Sequence, residues 1–283
     1  MRIISTIREM QRAAENLRLQ GKRIGVVPTM GYLHEGHLSL IRLARKKSDV
    51  VVVTIFVNPT QFGPDEDLNR YPRDLERDRR LAEVTGCDVL FAPKVSEMYP
   101  EEYLTYVQVN KLSSILEGEF RPTHFRGVAT VVTKLFNITK PHVAIFGQKD
   151  AQQAIIIRQM VRDLNLDVDV LVAPIVRDAD GLAMSSRNIY LSPHQRTGAL
   201  VLRKALGLAQ RMIHSGERDA GKIRKRMRQL ITSGRHIDPD YVAIADAETL
   251  EGLPKLGKGR RTLVALAARI GKTRLIDNII VTP

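Results

Sequence analysis

Short apolar, β-branched runs alternate with amphipathic stretches along the first two-thirds of the chain. Ile24 to Val27 lead to Pro28 and Thr29, and a turn holding Gly31 and Gly36 follows. A helical period comes next, with Leu38, Ile41, Leu43 and Ala44 on one side and Arg42, Arg45, Lys46 and Lys47 opposite. Val50 to Val57 form a nearly continuous apolar run, as a strand covered on both faces requires. It ends in Asn58-Pro59-Thr60-Gln61-Phe62-Gly63-Pro64, whose prolines cannot continue a ladder. A charged helix over Asp74–Thr85, a strand Val89–Pro93, a long loop 116–127 and a helix Val128–Ile138 come next. The strand His142–Phe146, a helix through Met160 and the strand Val168–Val172 complete the series. This alternation predicts an α/β fold, a parallel sheet flanked by helices, with ligands bound beyond the carboxyl ends of its strands.

The pattern changes at Pro174 to Val176. Asp180-Gly181 signals a tight turn, and Ser192-Pro193 opens a long helix to about His214. A second basic helix and short strands at Tyr241–Ala245, Thr262–Ala268 and Leu275–Val281 follow. The expected organisation is residues 1–175 as one domain and 176–283 as a smaller α+β domain. At the other end, Met1 to Ser5 run on into the polar helical pattern of Ile7 to Arg18, which is unlike a secretion signal.

With 283 residues, 43% hydrophobic and 27% charged, the chain is long enough for a sizeable core and ordinary in composition for a globular protein. No apolar run is long enough to cross a membrane. Cys87 is the single cysteine, which excludes an intrachain disulfide and a cysteine-rich zinc site and fits a reducing cytoplasm. The net charge of +13 raises nucleic acid as a partner. The basic residues are spread over several helical faces, however. Aromatics are only 5% with no Trp, so stacking platforms are scarce, and a solvated basic surface that attracts an anionic substrate is favoured.

The candidate chemistry sits at strand ends. His34 and His37 lie where the glycine-bearing loop becomes a helix, so imidazoles and free N–H groups converge at an end that favours anions. Two capping histidines in an ordinary turn are the plainer alternative. His34-x-x-His37 has no third ligand nearby in sequence for zinc. Gly147-Gln148-Lys149-Asp150 lacks the spacing of a P-loop. Met184-Ser185-Ser186-Arg187 offers hydroxyls and a guanidinium suited to phosphate oxygens, or equally a serine-capped turn.

Together, the histidine pair and the later Met184-Ser185-Ser186-Arg187 resemble the paired signatures of the adenylate-forming nucleotidyltransferases, including class I aminoacyl-tRNA synthetases, where lysine usually stands at the position of Arg187. Five blocks narrow the likeness: Pro28 to His37, Val57 to Phe62, Tyr71-Pro72-Arg73, Phe146 to Gln153, and Met184 to Asn188. In order and spacing they resemble the pantothenate synthetase (pantoate–β-alanine ligase) family over nearly the whole chain.

That resemblance implies a Rossmann-like nucleotide- and pantoate-binding domain and a two-step reaction. Pantoate and ATP give a pantoyl adenylate and pyrophosphate, and the amine of β-alanine then displaces AMP. It further implies that His34, His37, Lys149 and Arg187 are catalytic, with His37 as proton donor. Met30, Gly31, Gly36, Gly147, Gln148, Asp150, Val176, Met184, Ser185 and Ser186 complete the ATP site, and Gln61 and Gln153 hold pantoate. Mg²⁺ accompanies the phosphates, with Asp78 as an outer-shell candidate. Arg77 stands where some relatives carry another acid. A homodimer is implied as well, and a mobile cover is expected from Thr60–Tyr71 or from the second domain. The rivals are a nucleotidyl transferase acting on another acceptor, RNA included, and a non-enzymatic basic module.

Overall fold

The computed structural model describes residues 1–64, 66–233 and 237–283. Six strands, β1 (Arg2–Ile4), β2 (Ile24–Thr29), β3 (Val50–Ile55), β4 (Val89–Phe91), β5 (Val143–Gly147) and β6 (Asp169–Ala173), form one parallel sheet in the order β1-β4-β3-β2-β5-β6. The helices between them are α1 (Ile7–Leu19), α2 (Glu35–Lys47), α3 (Leu75–Thr85), α4 (Val95–Met98), α5 (Glu117–Phe120), α6 (His124–Thr139) and α7 (Ala151–Asp163). Side chains alternate across each strand. Val26 and Val52 therefore join one apolar cluster with Met10, Leu135 and Ile156, while Val27, Val51 and Val53 join another with Leu40, Ile41 and Ala82. Helices α1, α6 and α7 thus cover one face and α2 and α3 the other. This double cover is why the strands read as unbroken apolar runs.

Beyond β6 come α8 (Pro193–His214) and α9 (Ala220–Thr232), then an antiparallel sheet of β7 (Ile237–Asp246), β8 (Thr262–Ile270) and β9 (Thr273–Val281). Leu202, Leu206, Ile223 and Met227 of these helices share a separate core with Val264, Leu266 and Leu275 of the sheet. Ser192 caps α8 in a reciprocal pair with Gln195. The tight turn at Asp180-Gly181 forms as expected, with Gly181 at φ 91°. Among the described residues, no helix is long and apolar enough to cross a membrane.

Three elements differ from the sequence expectation. Arg2–Ile4 is a separate edge strand beside Val89–Phe91 rather than the lead-in to α1, because Thr6 caps that helix and breaks the run. Three residues are too few to display a period. Helix α6 begins at His124, four residues before the expected start, and runs through Gly127. Strand β7 begins before Tyr241, with a register shift between Pro239 and Tyr241 that accommodates the proline.

Candidate active site

The strand order reverses at β2, which pairs with β3 on one side and β5 on the other. Chain leaving the carboxyl ends of β2 and β5 therefore flanks a ready-made crevice. After β2 the chain turns sharply, with Gly31 at φ 82° and Tyr32 at φ 50°. The Asp78 carboxylate from α3 fixes that turn by accepting the N–H of Tyr32 at 2.6 Å and of Leu33 at 2.7 Å. A Cβ on Gly31 would lie 2.9 Å from an Asp78 oxygen, so glycine is required there for space as well as for φ. Asp78 is 1% exposed and both of its oxygens are taken, so it anchors the loop and is not in a position to serve a metal's outer shell. Burial raises its carboxyl above the usual range, against the backbone hydrogen bonds that lower it.

The anchored turn delivers His34 and His37 to the start of α2, their rings 4.1 Å apart. The His34 N–H donates to His37 Nδ1 at 3.3 Å, which leaves the proton of a neutral His37 on Nε2. Burial, then the neighbouring His34 and the Lys149 ammonium, push His37 well below its ordinary pKa. Burial and Lys149 likewise take His34 down to about 4. Both shifts favour the uncharged ring near pH 7, with the Nε2 proton as the donor that His37 has to offer. His34 Nδ1 is buried with no partner among the described residues. Gly36 makes room for it: a Cβ there would lie 2.8 Å from the His34 ring.

Across the crevice, β5 ends at Gly147 and brings in Lys149 and Asp150, 3.7 Å apart. The third wall is the turn Met184–Arg187, held by Met184 N–H donating to the Val176 carbonyl and Arg187 N–H donating to Ser185 Oγ. Ser186 Oγ donates to the Tyr32 carbonyl at 3.3 Å, tying this turn to the histidine loop across 154 residues of sequence. Met30, Gly36, Gly147, Val176, Met184 and Ser185 join these groups around one cleft of about 1200 Å³. That volume is ample for a nucleotide and a second small molecule.

Gln61 and Gln153 line the same cleft. Asn58 Nδ2 donates to Gln61 Oε1 at 3.0 Å, which fixes the amide and leaves Nε2 as its donor. Behind Gln61 stand two residues that the sequence pattern places only in a connecting loop. Arg121 donates to His124 Nε2, and His124 Nδ1 donates to the Gln61 carbonyl at 2.9 Å. The segment following Gln61 is pinned over the cleft by two forked ion pairs, Glu66 to Arg121 and Asp67 to Arg187. Glu66, Asp67, Arg121 and His124 also line the cleft, yet none belongs to the five blocks that the sequence singles out.

Two expected site residues point elsewhere. Gly31 does not line the cleft and its N–H donates to Thr29 Oγ1 at 3.1 Å, and Gln148 Nε2 donates to Asn278 of β9 at 3.2 Å. Asn278 returns hydrogen bonds to the Gln148 and Lys149 carbonyls, so Gln148 joins the two sheets rather than facing a ligand.

The sequence profile described as pantoate-beta-alanine ligase matches residues 2–280. The chain belongs to the pantoate-β-alanine ligase family. A pantothenate synthetase from Thermotoga neapolitana is 58% identical over 280 residues, covering 99% of each chain. The crystal structure of the Thermus thermophilus pantothenate synthetase superposes with a TM-score of 0.93 at 47% identity over the whole of both chains. The pantoate-β-alanine ligase of Francisella tularensis, solved with β,γ-ATP and β-alanine, has a TM-score of 0.80 at 34% identity, covering 99% of this chain and 97% of that one. The protein is thus a ligase, and its reaction is the family's ATP-driven condensation of pantoate with β-alanine. A pantoate-β-alanine ligase must hold a triphosphate beside a carboxylate, and this cleft has the cations and neutral donors for that. Both oxygens of Asp78 accept backbone N–H groups, and among the described residues no three His, Cys, Asp or Glu side chains group to hold a metal ion.

Proposed function

We propose that the triphosphate of ATP lies between the histidine loop, Lys149 and the Ser185–Arg187 turn, with pantoate between Gln61 and Gln153. The observation that carries this reading is the Ser186–Tyr32 hydrogen bond, which seats the guanidinium turn on the imidazole loop at the reversal of strand order. Lys149 and Arg187 offset the charge that opposes approach of one anion to another. His34 and His37 donate neutral hydrogen bonds to phosphate oxygens, aided by the N-terminus of α2. The Nε2 of Gln61, its other amide end fixed by Asn58, donates to a pantoate oxygen.

The pantoate carboxylate then attacks the α-phosphorus in line and pyrophosphate leaves, so the protein's work is positioning and charge stabilisation. In the second step the β-alanine nitrogen adds to the acyl carbon, loses a proton and expels AMP. Once pyrophosphate has left, the Glu66–Tyr71 strap closes and excludes water from the adenylate until the amine arrives. Any Mg²⁺ arrives on the phosphates, in keeping with the sparse protein carboxylates such an ion needs. The proposed assembly is a homodimer. A cytoplasmic location fits the single Cys87, buried and with its thiol pushed by burial up to about 12.

Pyrophosphate release tests the reading. It should require pantoate and not β-alanine, and AMP should appear only when β-alanine is added. AMP formation without pantoate would contradict the order of steps, and sedimentation as a monomer at micromolar concentration would contradict the dimer.

A further inference from the structure

The strap and the phosphate-binding turn make contact through a pairing whose chemistry is that of a ligand. Asp67 receives Arg187 Nε at 2.9 Å and Nη2 at 2.8 Å, a two-point fork in which the Arg187 side chain is 26% exposed and the Asp67 side chain 14%. The same fork is the preferred geometry for phosphate oxygens. One residue earlier, Glu66 makes a second fork with Arg121, at 2.7 and 2.6 Å, from the opposite wall. Tyr190, on the same turn as Arg187, donates to the Arg70 carbonyl at 2.7 Å. Adjacent carboxylates on one strap are thus bound as anions by arginines that line the cleft.

We propose that Asp67 is an intramolecular competitor of the nucleotide's phosphates for Arg187, so that strap and triphosphate exchange on one guanidinium. This rests on the assignment of Arg187 to the phosphates. The edge of Arg187 that carries Nε is the one Asp67 takes, and the guanidinium carbon stands 5.8 Å from the Tyr71 ring centroid. A triphosphate reaching the remaining nitrogen would meet the Asp67 carboxylate as a close like charge. Lys149, whose nearest carboxylate is Asp150 at 3.7 Å, is less committed and receives the phosphates first. Transfer of Arg187 from Asp67 to the phosphates then loosens the strap next to Gln61, because Arg121 and His124 hold the Gln61 carbonyl at the strap's other end. Nucleotide binding is thereby coupled to the pantoate side of the cleft.

The test is titration calorimetry with a non-hydrolysable ATP analogue on the wild type, Asp67→Asn, Arg187→Gln and the double variant. Asparagine keeps the shape of the strap and removes the competing charge. If Asp67 holds the fork about nine-tenths of the time, Asp67→Asn binds the analogue about tenfold more tightly. The gain vanishes in the Arg187→Gln background. Weaker binding by Asp67→Asn, alongside weaker binding by Arg187→Gln, would overturn the proposal by showing that Asp67 orients Arg187 for phosphate. Wild-type affinity in Arg187→Gln would instead remove the phosphate role of Arg187, and the proposal with it. Trypsin provides a readout on the unaltered enzyme: cleavage after Arg70 and Arg73 quickens when the analogue is added, and slower cleavage contradicts exchange.

Discussion

Removal of one imidazole is the sharpest test at the scale of single residues. A backbone N–H fixes the orientation of the His37 ring in the cleft and leaves Nε2 as its donor. His37→Ala should therefore lower pantoate-dependent pyrophosphate release by roughly 10²–10³, the scale of losing a preorganised donor; near-wild-type release would remove it from the mechanism. The neutral state of the pair has its own signature. Unfolded histidine titrates near pH 6.5, whereas burial and Lys149 hold folded His34 near 4, burial and His34 hold His37 low, and burial and Arg121 hold His124 low. Below pH 6.5 the unfolded chain takes up protons that the folded protein resists, so stability falls as pH drops from 6.5 towards 4. An NMR titration of the His34 ring should show a midpoint near 4, and one near 6.5 would contradict the buried pair. The histidines and Arg187 are legible in the sequence because each sits in a contiguous run of unusual composition. Asp67 and Arg121 are not. Their partners stand 120 and 55 residues away, and nothing local marks a carboxylate that will meet a guanidinium.

Among the elements, the start of α2 and the start of α6 show how space decides what periodicity does not. Alanine at position 36 should suit a helix better than glycine by up to about 1 kcal/mol. Its Cβ, however, would lie 2.8 Å from the buried His34 ring and push it aside. Gly36→Ala should leave the melting temperature almost unchanged and lower adenylation by about 10–100-fold; unchanged activity would mean that the His34 position is immaterial. The pattern suggests a late start for α6 because Arg121-Pro122 and Gly127 look like loop. Gly127 is instead helical, where any Cβ would collide with the Thr60 carbonyl, and that close approach seats Gln61 in the cleft. Asp78 misleads for the same reason. A sequence shows an acid near the site, and only the fold shows two backbone N–H groups filling it.

For the whole molecule, the two sheets meet through polar contacts as well as a small apolar cluster that includes Ile155 and Leu263. Glu117 pairs with Arg274 of β9 and accepts from Tyr241 Oη at 2.8 Å, with Glu117 6% exposed. Glu117→Gln should destabilise the protein by about 3 kcal/mol, the low end for breaking a buried pair because Asp240 stays beside Arg274. Urea unfolding would measure it, and a change below about 0.5 kcal/mol would show the pair to be ornamental. The parallel sheet and the antiparallel one are readable from hydrophobic spacing, but the contact between them is not, since it depends on single polar residues such as Gln148 and Asn278. The central claim is that segments far apart in sequence close around one triphosphate. A crystal structure with a non-hydrolysable ATP analogue and pantoate tests it most directly. Phosphate oxygens should lie within hydrogen-bond distance of His37 Nε2, Lys149 Nζ and the Arg187 guanidinium; a triphosphate bound away from these three groups would contradict it.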